Sequence, residues 1–243
     1  MKKISVFLSV LVMGCAGEDA CFSKKGGPVS ETFGLTGFHT VDIPMNVSVE
    51  IVPDTEYKLE IHSFENRIGA LTFNVKDSVL VIQNEISCEM LKSYETAVLK
   101  IHTPNLKRIN SRTQFRVFST ETLRFPDLYL LTSIPNETSA STSFDLKVDN
   151  NSIVVEDNQV GVFKLEGKTK LLDVQLYGAN GVVKAHGLEA RNIKLYHRSN
   201  QNIDLFPVTK IEGTLFSVGN AYLYHKPDTV NVNKLYTGSV YYK

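Results

Sequence analysis

A leucine followed by an aromatic residue returns at a nearly fixed interval through the last third of the chain. Leu176-Tyr177, Leu195-Tyr196, Leu215-Phe216 and Leu235-Tyr236 lie 19 to 20 residues apart. The flanks keep the register: Val174 and Ile193 stand two residues before the leucine. Gly178, Asn200, Gly219 and Gly238 follow the aromatic, and Val183, Ile203, Tyr222 and Val240 come next. Gly213 and Asn233 break the pattern where an inward apolar residue is expected. A repeat of this length with short β segments, small-residue corners and no helix cannot bury its apolar face alone. It does so by stacking on its neighbours.

Earlier in the chain the apolar residues alternate. Val47, Val49 and Ile51 share a face, as do Tyr57, Leu59 and Ile61, then Leu71, Phe73 and Val75, with Val79 and Val81 following. Period two marks half-buried strands. Asp54-Thr55, Asn66 to Gly69 and Asp77-Ser78 supply the turn formers between them. The stretch from Glu85 to Glu95 is the one place for a single helical turn. The expected fold is all-β: a right-handed parallel β-helix with coils of about 20 residues, preceded by irregular N-terminal strands. Leucine-rich repeats need a denser leucine consensus. An antiparallel sandwich explains the early alternation equally well, but gives no reason for a fixed period.

The N-terminus carries a different kind of signal. Lys2 and Lys3 precede an apolar run from Ile4 to Met13, and Gly14 then leads to Cys15. A spanning helix needs about 20 apolar residues, so this run has the length and flanks of a cleaved signal peptide instead. Val12-Met13-Gly14-Cys15 resembles the bacterial lipobox, and the resemblance implies a lipidated Cys15 and anchoring by acyl chains. Three segments are expected: a signal peptide over 1–14, a lipidated tether over 15–35 and the β domain over 36–243. Glu18 and Asp19 resemble the surface-export signal of Bacteroidetes lipoproteins, against the plainer reading of a solvated linker. With Cys15 lipidated, Cys21 and Cys88 remain as a pair, either bonded to each other or both free.

Removal of Lys2 and Lys3 lowers the 26 basic residues by two against 26 acidic ones, a net charge of −2. That balance gives no basic footprint for nucleic acid. Hydrophobic residues at 42% with 21% charged suit a folded domain rather than a disordered one.

The run LKIHTPNLKRI from Leu99 to Ile109 resembles the strand, Pro-x-Leu and strand signature of the head GIN domain family of auto-transporter adhesins, common among Bacteroidetes lipoproteins. Gly178 to Leu195 and Val218 to Val232 are similar to that family's rhythm of small-residue corner, strand and turn. The resemblance spans Phe38 to the C-terminus and implies a surface-displayed β domain. Ser111-Arg112-Thr113, Ser133-Ile134-Pro135 and Arg198-Ser199-Asn200 depart from the family's Gly-Ala-Ser type of corner.

No hydrolase, metal-ligand or nucleotide-binding motif is present in the sequence. Expectations therefore include no catalytic residue, no metal and no cofactor. The six histidines are scattered, although His186 and His225 lie about two repeats apart and could project from one side. Asp173, Asp204 and Asp228 are the carboxylates that could pair across coils as acid and base. The candidate ligand site is an aromatic ladder. With Val174 and Leu176 inward, the period-two rule turns Tyr177 outward, and Tyr196, Phe216 and Tyr236 with it. Such a ladder suits a glycan or a host protein, or serves as a structural seam. The functional expectations, in order, are a cell-surface binding module held to the outer membrane by lipid, a structural or signalling component of the envelope, and a β-solenoid carbohydrate enzyme.

Overall fold

A computed structural model of the chain describes residues 26–85, 97–132 and 141–243. Cys15, Cys21 and Cys88 lie outside the described residues, as does the stretch after Glu85 expected to hold a helical turn. Seven short strands come first: β1 (Pro28–Gly34), β2 (Thr40–Ile43), β3 (Val47–Pro53), β4 (Lys58–Phe64), β5 (Leu71–Lys76), β6 (Val79–Asn84) and β7 (Ala97–Thr103). A helical turn, α1 (Glu65–Ile68), separates β4 from β5. Next come β8 (Arg108–Ser111), β9 (Arg116–Leu123) and β10 (Asp127–Leu131). Four longer strands follow: β11 (Ser143–Asp157), β12 (Val162–Leu176), β13 (Val182–His197) and β14 (Ile203–Leu215). The last are β15 (Ala221–Leu223), β16 (Thr229–Lys234) and β17 (Val240–Tyr242), and all belong to one sheet.

From β8 onward the pairing is parallel, and from β11 onward the next partner along the chain lies about one repeat away. Phe144 stands opposite Phe163, Phe163 opposite Val183, and Ala221 opposite Val240. This parallel register excludes the antiparallel sandwich. Each long strand serves two rows of the ladder. The first part of β11 lies on β9 and its second part on β10, while β14 meets β15 with its first residues and β16 with its last.

Alternation explains why these segments are strands and where they bend. In β12, Phe163 and Leu165 are buried, and then Leu172, Val174 and Leu176. The change from odd to even positions marks the corner between the two rows. Both rows turn their apolar side to one core, in which the rings of Phe144 and Phe163 stack 5.1 Å apart at 9°.

The leucine column differs from its expected register. Leu176, His197 and Leu215 stand opposite one another, whereas Leu195 faces Val174 and Gly213. A register shift against β12 between Lys164 and Glu166, and shifts against β14 between Ala185 and Glu189 and between Ala190 and Asn192, displace β13. Leu235, expected inward, is 65% exposed because β16 ends at Lys234. Gly213, the apparent gap in the pattern, has φ +139, and a Cβ there would collide with the Leu195 carbonyl. At the corner, a Cβ on Gly219 would come 2.8 Å from His197 Nε2 and closer still to the Ser199 and Gln201 carbonyls. Recurrent small residues are thus what lets consecutive corners stack.

The N-terminal strands are part of the ladder rather than a preamble to it. β2 lies between β6 and β8, and β3 between β7 and β9, all parallel. Antiparallel strands close this end: β4 on β7, β1 on β4 and β5 on β6. The tether expected over 15–35 therefore gives way to an ordered strand at Pro28. Val47, Val49, Ile51 and Leu59 are fully buried, in line with the alternation. Val79 and Val81 are not the inward residues of β6. Leu80 and Ile82 are, because Asp77 and Ser78, both at positive φ, make the tight turn that sets the hairpin's phase.

Candidate functional site

Inward Val174 and Leu176 leave Gln175 and Tyr177 on the outer side of β12, and the same geometry puts Tyr196 outside on β13 and Phe216 outside just after β14. The Tyr177 and Tyr196 rings have centroids 5.0 Å apart, and Tyr196 and Phe216 4.4 Å apart. Tyr177 is exposed; Tyr196 and Phe216 are half-buried. Three of the four expected ladder residues therefore form one row. Tyr236 does not join it: its ring is 66% exposed with no aromatic partner among the described residues, since it lies beyond the end of β16.

The row continues toward the N-terminus through residues that the repeat did not reveal. The Tyr177 hydroxyl donates to Gln175 Oε1 at 3.1 Å. Glu156 precedes Gln175 in the same outward column and accepts the Tyr129 hydroxyl. Burial, with the Glu156 carboxylate as acceptor, pushes the Tyr129 hydroxyl up to about 12, and burial also raises that of Tyr177. Both phenols are donors at physiological pH. The Arg108 guanidinium lies over the Tyr129 ring at 4.7 Å. Leu128-Tyr129 is a further Leu-aromatic pair. It was hidden because β10 and β11 are out of step with the later interval, with Asp127 opposite Ser152.

Other candidates fall apart spatially. Asp173 is opposite Lys194 on one row, Asp204 is opposite Lys184 on the other, and Asp228 is exposed in the turn before β16, so no acid–base pair forms. His186 and His225 are exposed and each packs on a ring, Tyr224 and Phe206 respectively, at 5.2 Å. His225 Nδ1 donates to the Pro207 carbonyl at 2.8 Å. Among the described residues no three metal-ligating side chains converge.

Two polar clusters were not foreseen. Inside the core, Asp157 accepts the Thr132 hydroxyl and the Gly161 N–H at 3.0 Å, leaving Oδ2 buried without a partner. Two strands on in the same column, His197 accepts the Ser199 N–H at 3.2 Å on Nδ1, and its Nε2 is also unpartnered among the described residues. Burial raises the Asp157 carboxyl and lowers His197 to about 4. On the antiparallel end, His102 Nδ1 sits 2.9 Å from Asp54 Oδ2, and its Nε2 lies 3.2 Å from Glu60 Oε1, out of line for a hydrogen bond. Glu60 Oε2 is 3.3 Å from His62 Nε2, and His62 Nδ1 meets the Ser30 hydroxyl at 3.1 Å. A hollow of about 450 Å³ lies beside this group, lined by Pro28, Phe64 and Val98.

Fold and row together define an all-β ladder domain that presents an extended outer face. The chain belongs to the family described as "Putative auto-transporter adhesin, head GIN domain", whose model matches residues 37–227. Among solved structures, a "putative adhesin" from Bacteroides fragilis is similar at TM-score 0.76 and 18% identity, over 89% of this chain and 97% of that one. A "putative adhesin" from Parabacteroides distasonis gives 0.61 at 14%, over 90% and 98%. A "Putative lipid binding protein" from the same species gives 0.61 at 12%, over 88% and 97%. Identities this low show a shared fold. No curated protein matches the chain. No helix among the described residues is long and apolar enough to cross a membrane.

Proposed function

We propose that this protein is a lipid-anchored, cell-surface binding module of adhesin type, and that its ligand lies along the outer row of Tyr129, Tyr177, Tyr196 and Phe216. The carrying observation is the continuity of that row, with rings in contact across three consecutive coils and the chain of Gln175, Glu156 and Tyr129 prolonging it. Flat rings with hydroxyl tips offer an apolar body and a polar handle to an extended ligand. A binding role rather than catalysis is supported by the engagement of the row's carboxylate, Glu156, with Tyr129. Right-handed winding of the ladder is supported by the near-universal hand of parallel β connections. The family's adhesin description and the Cys15 lipobox support display on the outer membrane, facing outward.

Substituting Tyr177 and Tyr196 together by Ser is expected to weaken capture on a glycan and host-matrix array at least tenfold, with the melting temperature changed by a few degrees. Unchanged capture by a folded variant would move the site elsewhere. Anchoring has its own test: Cys15→Ser is expected to lose incorporation of a palmitate analogue, and equal labelling of variant and parent refutes the lipoprotein assignment.

A further inference from the structure

We infer that Arg108, braced on Tyr129, is a carboxylate-binding subsite at one end of the aromatic row, and that the extended ligand is an acidic glycan bearing uronic acid residues. The inference rests on the row being the ligand face. Arg108 Nε donates to Asn110 Oδ1 at 2.8 Å, and Asn110 Nδ2 donates in turn to Asp42 Oδ1 at 2.7 Å. With the Tyr129 ring beneath it, the guanidinium is held in plane and in azimuth. Its two terminal nitrogens nevertheless meet no acceptor among the described residues.

The carboxylates nearby are already committed. Asp42 accepts from Asn110 and has Arg112 Nη1 at 3.9 Å, and Glu156 accepts from the Tyr129 hydroxyl. A half-buried, pre-oriented fork with no counter-ion among the described residues is suited to bidentate recognition of a planar carboxylate, and little side-chain entropy remains to be lost on binding. The opposite end of the row supplies ring faces instead, at Tyr177, Tyr196 and Phe216, with Gln175 and Thr214 beside Tyr196 as hydrogen-bonding neighbours. From Arg108 to Phe216 the row crosses β8, β10, β11, β12, β13 and β14, roughly 24 Å at about 4.8 Å per strand. A ligand that reaches both ends is a chain of several units, not a single sugar.

The ladder itself disfavours a peptide strand. Every strand under the row is paired along both edges, so no backbone groups remain for strand addition there. A polyproline-type peptide needs aromatic faces but no free sheet edge, and it serves as the competing ligand in the test.

Titration calorimetry on the full lipidated chain in detergent separates the cases. The probes are a galacturonate hexamer and a hyaluronan hexamer, each beside its methyl ester, and a polyproline peptide. The acid form of one hexamer is expected to bind at least tenfold tighter than its ester. Arg108→Gln is expected to abolish that preference by weakening the acid at least tenfold and the ester far less, Arg108→Lys to restore only part of it, and Tyr196→Ser to weaken acid and ester alike. Circular dichroism melting checks that each variant is folded. Equal binding of acid and ester, or equal weakening of both by Arg108→Gln, overturns the subsite while the row stands as the ligand face. Binding of the polyproline peptide alone overturns the glycan. Binding of none of the probes overturns the acidic glycan, and unchanged array capture by Tyr196→Ser overturns the row itself.

Discussion

The two halves of the ladder reach the same parallel core by different routes. Between β11 and β12 the partners keep one short, constant interval, from Ser143 opposite Val162 to Asp157 opposite Leu176, and the strands run 15 residues each. Around β3 and β9 the partners come from distant parts of the chain, as with Val49 and Val117, and the strands have seven or eight residues. Loop closure costs little more for a longer loop, but non-local pairing forms slowly. The regular half is therefore where folding is expected to begin, and the capped half joins a template already present.

That contrast can be broken or sharpened by substitution. The largest effect is expected for Phe163→Ala, which removes one member of the stacked core pair and should cost about 4 kcal/mol in urea unfolding. Phe33, half-buried at the capped end and 4.9 Å from Phe73, is the counterpart. Its replacement by Ala should cost about 1 kcal/mol, being near a surface where less area is buried. Equal losses would show that the two halves contribute alike.

The second effect is one of pH. His197 is lowered by burial from 6.5 to about 4, so its neutral form supports the fold above pH 6.5, and that support drains away as pH falls toward 4. The difference amounts to about 3 kcal/mol. Asp157, raised by burial, slopes the other way, favouring the fold below its ordinary value of 3.8 and disfavouring it as pH rises. Comparing His197→Leu with the parent isolates the first contribution. The variant's urea midpoint should fall less between pH 6.5 and 4, and parallel curves would mean that the imidazole is wet.

Gly213→Ala comes third, at about 2 kcal/mol, for the strain of its positive φ. Gly34→Ala in the capped half has open space around it and should be neutral within about 0.5 kcal/mol. A neutral Gly213→Ala would show that the ladder bends to admit a Cβ. The smallest effect belongs to Asp54, whose carboxyl is held well below the ordinary range by Lys58 first and His102 second. Its ionised form supports β4 above the ordinary carboxylate value and loses that role in acid. Asp54→Asn should raise amide exchange in β4 at neutral pH and leave β12 unchanged.

What could be read from the sequence follows from the same contrast. The fixed interval was visible where successive strands pair with nothing inserted between them, from Leu176 to Phe216. It vanished where β4, β5 and α1 are inserted between partners, so β2 and β3 looked like free alternating strands. Tyr177, Tyr196 and Phe216 were legible because parity alone places them outside. Arg108 and Tyr129 were not, because a ring beneath a guanidinium depends on how β8 and β10 are set against each other in a segment with no repeat. The His197 column was hidden by the register shifts in β13, which no count along the chain reveals.

The placement of β1 has a mechanical meaning. It is an edge strand, paired among the described residues with β4 alone, and its first residue is the one that follows the proposed lipid site in the chain. If Cys15 is lipidated and the row holds the ligand, as proposed, a load between them enters the domain at β1, and β1–β4 pairs loaded across the strands would open one after another, as a zipper does, instead of resisting together. Seven residues at about 3.4 Å each release roughly 24 Å of slack before the force reaches the row of rings. Under such a load the pair would act as a shock absorber. Force spectroscopy with handles at residue 26 and on β13 should record it as a single early, reversible lengthening, ahead of any rupture of the long strands.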